Sequence, residues 1–264
     1  MPDARSLDLT EARTHLQRLV DRAKRRASVQ LPIGFVKGGP GDPPLARLLG
    51  GGQSGEVRLK LFLTYVMRAT AKPYGTRALY TVDVARALGL PDPEDKGVRR
   101  VQAAVRWLKA NQFLADTTDE KGRPQIQVLN PMTPGGEGLT PWPGRGDGNR
   151  YLTVPIELWS NSWICVLSGR ALVLYLVLQE LTGGRDDRRW TDPGRKKLYG
   201  LSSSTWSRAT TELADFGLLT LEKRNVRDDY AVARLRNTYK LNEEVIRDMT
   251  PEQVSSLGRP ERRA

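Results

Sequence analysis

The chain has 264 residues, enough for one large or two ordinary domains with real hydrophobic cores. Its apolar fraction of 39% is low for one compact enzyme and suits small domains plus connectors. Net charge is +12, and 31 of the 42 basic residues are arginine, which forks onto phosphates and guanine edges. A GC-rich genome also supplies arginine freely; beyond that, the balance points to a polyanion, nucleic acid before an anionic membrane.

One cysteine (Cys165) and one histidine (His15) exclude a disulfide framework and a thiolate or imidazole metal site within one chain, so no metal and no cofactor is expected. A serine–histidine–aspartate arrangement would need His15, which has no evident partner in its charged segment. The opening Met1-Pro2-Asp3-Ala4-Arg5 lacks the apolar core of a signal peptide. The longest apolar stretch, near Ala171 to Leu178, is far short of a membrane span. The expectation is a soluble, cytoplasmic, nucleoid-associated protein with no membrane partner.

In chain order, residues 10–28 read as a helix started by Thr10, with Leu16, Leu19, Val20 and Ala23 as a narrow apolar stripe among arginines. This basic N-terminal segment (1–30) is a solvated charged helix, an arm onto phosphates, or a helix that docks a second copy. Residues 31–55 hold GGPGDPP and GGGQSG; neither is followed by Lys-Ser/Thr, so there is no phosphate-cradling loop and the stretch reads as a linker. A second connector, 131–149, has six glycines and four prolines in nineteen residues and cannot build a core. The tail, 243–264, carries one short amphipathic turn and then Arg259, Arg262 and Arg263.

Between the connectors lie two blocks of similar design, 56–130 and 150–242. The first runs from the helix VRLKLFLTYVMRATA through an extended piece, Arg77 to Tyr80, to a helix begun by Thr81 and ended by Gly89. A turn with Pro91 and Pro93 leads to the helix DKGVRRVQAAVRWLKANQ and then to two strands around the turn Asp119 to Arg123. The second opens on YLTVP and then IELWSNSWICVLSGRALVLYLVLQELTGG, a long apolar helix with a preceding turn. The extended RRW, a helix from Thr191 and Pro193 to Gly200, and a helix capped by Ser202 or Ser203 follow. Two strands flanking the charged turn Lys223 to Asp229 close it. ARALGL aligns with KKLYGL at an offset of 111, and RWLKANQFL with TELADFGLL at 105; the difference falls in the turn PDPEDK, where an insertion is tolerated.

The repeated order helix, strand, helix, turn, helix, two-stranded hairpin resembles the winged helix-turn-helix superfamily. More loosely, the chain resembles bacterial plasmid replication initiators and related regulators with two winged helices. The expected fold is α+β, mostly α: two tandem winged-helix domains with an N-terminal helix. The resemblance implies a sequence-specific double-stranded DNA-binding protein, a transcriptional regulator or a replication initiator of a plasmid or mobile element, and not an enzyme.

In such a fold the second helix of the turn enters the major groove. Helical spacing buries Val98, Val101, Val105 and Leu108 and presents Lys96, Arg99, Arg100, Gln102 and Arg106, which have the chemistry to read guanine and adenine edges. Trp107 is expected to lean on the wing or the first helix. The second reading helix buries Trp206, Ala209, Leu213 and Phe216 and presents Ser203, Ser204, Thr205, Ser207, Arg208 and Thr211. Its hydroxyls discriminate little between bases, so Arg208 is its best candidate for a specific contact. Arg195, Lys196 and Lys197 should lie over the backbone. So should the wing residues Lys121, Arg123, Lys223, Arg224 and Arg227, with Arg234 and Arg236 behind them. The first block thus reads as the specificity module and the second as a backbone clamp.

A flexible 19-residue tether spans roughly 25 Å on average, with a limit of roughly 65 Å, so the blocks could reach successive major-groove faces about 34–36 Å apart. One chain would then read two half-sites alone, or act as a homodimer or multimer on repeated sites. The competing class is a winged-helix protein-interaction module within a larger nucleic-acid-processing assembly, whose reading helices would be acidic or apolar. An enzyme would need clustered carboxylates, and the nearest, Asp186-Asp187 and Asp228-Asp229, sit in arginine-flanked turns. The stacking-aromatic sheet of RNA readers is not evident.

Overall fold

The computed structural model describes residues 9–23, 27–38, 41–50, 54–70, 74–132, 150–183, 189–191, 193–226 and 234–257. The protein is α+β and mostly helical, with small antiparallel sheets. Helix α1 (Thr10–Ala23) buries Leu16, Leu19, Val20 and Ala23, the stripe its periodicity marks. It stops before residue 28, because Ser28–Pro32 is strand β1. Its Arg13 pairs with Glu252 at 2.6 Å, so α1 belongs to the folded body rather than to a solvated arm.

Residues 31–55 are not a loose linker. They continue from β1 into α2 (Ile33–Val36) and α3 (Pro44–Leu49), with Leu31, Phe35, Val36, Leu45 and Leu48 fully buried. The prolines that suggested a linker instead start a helix: Pro43 is the N-cap of α3 and Pro44 its first residue, where a missing N–H costs nothing.

The next stretch comprises α4 (Gly55–Arg68), β2 (Gly75–Thr76), α5 (Thr81–Ala87), α6 (Lys96–Ala110), β3 (Leu114–Thr118) and β4 (Pro124–Val128). The extended piece sits at Gly75–Thr76, slightly before the expected Arg77 to Tyr80. Strand β5 (Tyr151–Pro155) follows and pairs antiparallel with β1, from Ser28↔Pro155 to Pro32↔Tyr151. The apolar run, expected as a turn and then one long helix, comprises the short helices α7 (Glu157–Ser160) and α8 (Trp163–Val166) before the long α9 (Gly169–Thr182). The break between α7 and α8 falls at Ser162, in the left-handed region at φ 66°. Then come β6 (Arg189–Trp190), α10 (Pro193–Lys197), α11 (Ser203–Asp215), β7 (Leu219–Val226) and β8 (Arg234–Leu241). The tail holds two helices, α12 (Glu243–Asp248) and α13 (Pro251–Ser256), with Ile246 and Val254 buried.

Two halves repeat one plan. Each has helix, short strand, helix, helix and two strands, and the sheets run β2-β4-β3 and β6-β8-β7. The repetition reaches individual bonds. Gly89 and Gly200 both lie at φ 61°, and Gln112 and Gly217 share the left-handed region at 61° and 68°. Phe113 N bonds Leu108 O and Leu218 N bonds Leu213 O, both at 2.9 Å; Leu129 N–Phe113 O and Asn242 N–Leu218 O both measure 3.0 Å. Gly89 and Gly200 keep the offset of 111 read from the sequence, and the pairs from Leu108 to Phe113 keep that of 105, until the longer second hairpin shifts the register.

The halves are not beads on a tether. Twelve of fourteen residues in α4 and eleven of fourteen in α9 are buried, so both helices are covered on every side. They pack on each other, and α3 packs on both. Trp159 Nε1 donates to Thr64 Oγ1 at 3.2 Å, and the buried Lys60 ammonium bonds Glu56 at 2.7 Å and the Cys165 carbonyl at 3.0 Å. One apolar cluster runs from Leu16 to Val254. Independent reach through residues 131–149 is thereby overturned: shared core, not linker length, sets the distance between halves. Within that connector only Pro131 and Met132 are among the described residues.

Candidate nucleic-acid interface

Helix α6 is amphipathic. Its buried residues are Gly97, Val101, Ala104 and Leu108, at alternating spacings of four and three. Val98 and Val105, expected innermost, are half-buried. The first of the buried positions is a glycine where α6 crosses α5 closely: a Cβ on Gly97 would meet Ala85 Cβ at 3.1 Å. Lys96, Arg99, Arg100, Gln102 and Arg106 are all exposed. Arg99 pairs with Asp95 at 2.6 Å, one turn before it. Lys96, Gln102 and Arg106 carry no hydrogen bond or ion pair among the described residues. Trp107 is held by the body, with the Arg58 guanidinium of α4 4.2 Å above its ring and Phe113 at 5.7 Å.

Helix α11 buries Trp206, Ala209 and Leu213, together with Thr210 and Glu212, while Phe216 is half-buried. Its N-cap is Ser202, whose Oγ accepts from Thr205 N at 3.1 Å. Ser203, Ser204, Ser207, Arg208 and Thr211 are exposed and Thr205 half-buried.

The remaining candidates divide. Lys121 is exposed at the tip of the β3–β4 turn, but Arg123 folds back onto Asp119, with Nε–Oδ2 at 2.6 Å. Lys196 does not lie over a free surface. Its ammonium sits 4.7 Å from the Trp206 ring centroid, and burial pushes it below its ordinary pKa. Lys197 is exposed. Lys223 and Arg224 belong to strand β7 rather than to a turn, paired with Asn237 and Arg236, and Arg224 bonds Glu222 at 2.9 Å. Arg236 stacks on Trp190 at 4.1 Å. Arg227, the side chains of Arg195 and Arg234, and the aspartate pairs 186–187 and 228–229 lie outside the described residues.

The structure adds a junction between the two halves. The N-terminus of α9 is held by two carboxylates, one from each half. Glu56 of α4 accepts from Gly169 N at 3.0 Å, and Glu212 of α11 accepts from Ser168 N at 2.7 Å and Ser168 Oγ at 2.6 Å. Burial pushes the Glu56 carboxyl up, but Lys60, the Gly169 amide and the nearby Arg100 guanidinium outweigh it and hold its pKa below the ordinary value. Arg170 reaches Glu212 at 3.5 Å. Beside this junction an open groove of about 350 Å³ is lined by Glu56, Ser168, Arg170, Ser204, Thr205 and Arg208. Of these, Glu56, Ser168 and Arg170 lie outside the helices that the sequence pattern singles out for DNA contact. Arg170 sits inside the apolar SGRALVLYLVLQEL and reads as the polar start of a core helix; only its interruption of that run was a signal.

Elsewhere, His15 Nδ1 lies 3.8 Å from Asp83, a partner the sequence did not suggest. Among the described residues no cluster of His, Cys, Asp and Glu is placed to hold a metal ion, and no helix is long and apolar enough to cross a membrane. No protein-family model matches the chain, nor does any curated protein or solved structure.

Proposed function

We propose that the chain is a sequence-specific double-stranded-DNA-binding protein whose two halves are tandem winged helices, working as a transcriptional regulator or as a replication initiator of a plasmid or mobile element. The observation that carries this reading is the third helix of the first half: α6 buries one narrow face and leaves Lys96, Arg99, Arg100, Gln102 and Arg106 exposed along the other. Arginine and glutamine on such a face match the major-groove edges of guanine and adenine. The repeated element order and sheet order support the winged-helix assignment of both halves, and the net charge of +12 supports a polyanionic partner.

On this reading α6 carries base discrimination, through Arg106 and Gln102 first because no described partner holds them. Helix α11 offers hydroxyls and Arg208, which suit phosphates more than base edges. The charges of Arg123 and Arg224 are already engaged within their hairpins, so Lys121 and Lys223 are the wing residues ready for a backbone contact. Selection of bound fragments from genomic DNA, then footprinting at two salt concentrations, tests the reading. A discrete protected sequence and a steep salt dependence are expected; no protection with a shallow slope overturns it and favours a protein-docking role.

A further inference from the structure

The groove at the junction collects cations whose carboxylate neighbours are already consumed. Glu56 spends Oε1 on Lys60 and Oε2 on Gly169 N, while Glu212 spends Oε1 on Ser168 N and Oε2 on Ser168 Oγ. All four carboxylate oxygens are therefore satisfied within the junction. Arg170 Nε lies 3.5 Å from Glu212 Oε2, beyond a short hydrogen bond, and the Arg170 side chain is 41% exposed. Arg208 is exposed on the same groove and has no ion pair among the described residues.

The hydroxyls sort themselves by proton count. Ser202 Oγ donates to Thr205 Oγ1 at 2.9 Å, so the 3.0 Å contact between Ser204 and Ser202 must use the Ser204 proton. The Thr205 hydroxyl proton is the one left to donate into the groove. Arg100 of α6, like Glu56 a residue of the first half, acts electrostatically on the Glu56 carboxylate.

We infer that this groove seats a backbone phosphate of DNA, with Arg170 and Arg208 as its cations and Thr205 Oγ1 as a donor, where a strand passes between the two reading helices. The inference rests on the DNA-binding reading above and adds Arg170, a residue of neither reading helix. The contact is sequence-independent, since phosphates position the duplex and carry no base information. All three groups belong to the second half, in α9 and α11, and the groove they line borders Glu56 of the first half, so the contact fixes the backbone at the seam between the halves.

The test measures binding of the full chain to a short random-sequence duplex and to a selected duplex over a range of salt. Arg170→Ala and Arg208→Ala should each weaken both duplexes alike, about tenfold at fixed salt. Each should also reduce the slope of log K against log salt by about one. Arg170→Lys should keep the slope. If Arg170 only braces Glu212, Arg170→Ala will lower the melting temperature and leave the slope unchanged, which overturns the inference. Should Arg170→Ala fail to fold, Arg208→Ala decides alone. Wild-type binding matched by both alanine variants removes the groove but leaves the DNA reading intact; no wild-type binding at any salt removes both.

Discussion

The carboxylate of Glu56 accepts a hydrogen bond from the backbone amide of Gly169, 3.0 Å away and 113 residues along the chain. One half of the molecule thereby caps the central helix of the other. The approach is close enough that position 169 has no room for a side chain: an added Cβ would lie 2.9 Å from Leu49 Cδ1 and 3.0 Å from Glu56 Cα. Gly169→Ala should therefore destabilise the whole protein by about 1–3 kcal/mol, the usual cost of overpacking. Urea denaturation followed by tryptophan fluorescence and by circular dichroism should still show one coincident transition, moved to lower urea. Two separated transitions would mean that the halves fold independently.

The same carboxylate makes stability depend on acid. Burial opposes its ionisation, yet Lys60, Gly169 and Arg100 hold its pKa below the ordinary value, so folding favours the charged form. Its contribution is complete above the unfolded-state pKa of about 4.3 and disappears as pH falls through the lower folded value. Glu56→Gln should thus lower stability at neutral pH and flatten the acid limb of the pH–stability curve below about pH 4.3. Parallel curves for the two proteins would refute this.

On α6, proposed as the reading helix, the variant of choice is Arg106→Ala, because Arg99 already has Asp95 at 2.6 Å. The expected loss is about 1–3 kcal/mol of discrimination between the selected site and random sequence. Lys121→Ala should weaken both alike. Equal effects of the two changes on specific and random duplexes would show that α6 does not read bases.

The repeat makes a prediction by comparison. Gln112 and Gly217 occupy equivalent positions and share positive φ, but only glycine tolerates it without a Cβ penalty. Gln112→Gly should stabilise the protein by about 0.5–1 kcal/mol, measurable as a raised denaturation midpoint. A lowered midpoint would mean that the glutamine side chain contributes more than the strained backbone costs.

Cys165 reports on the junction. Its Sγ contacts the Ala87 carbonyl at 3.1 Å, and burial pushes the thiol pKa up to about 12. The thiolate is therefore scarce at pH 8, so labelling by a thiol reagent should be far slower than for an exposed cysteine. Denaturant should accelerate it in step with global unfolding. Fast labelling of the native protein would reveal a local opening between α5 and α8.

Much of this architecture is legible in the sequence where local chemistry decides. The turn glycines Gly89 and Gly200, the Ser202 cap and the hairpin turn at 119–123 stand where their residue types place them. Legibility fails where burial depends on a distant partner. Gly97 and Ala104 are innermost in α6 because small residues let helices approach, whereas a stripe weighted by hydrophobicity selects Val98 and Val105. Residues 31–55 look like a connector by glycine and proline count, yet α3 packs on both α4 and α9. The continuous apolar character of α9 does signal a helix covered on all sides; nothing local says that α4 covers it. Lys223 and Arg224 look like a turn because a ribbon that leaves the body has solvent on both faces and loses the alternation that marks a strand.

The pairing of β1 with β5 has a consequence for biosynthesis. Ser28–Pro32 is synthesised well over a hundred residues before the strand it bonds, Tyr151–Pro155. At translation rates of about 5–20 residues per second, that interval lasts roughly 6–25 s. During it Val29 and Leu31, fully buried in the finished protein, have no strand to lie against. The first half therefore leaves the ribosome as an unfinished body with an open edge. Its maturation waits on the second half, so a translational pause placed between residues 60 and 150 should expose the nascent chain to chaperones and aggregation more than one placed after β5.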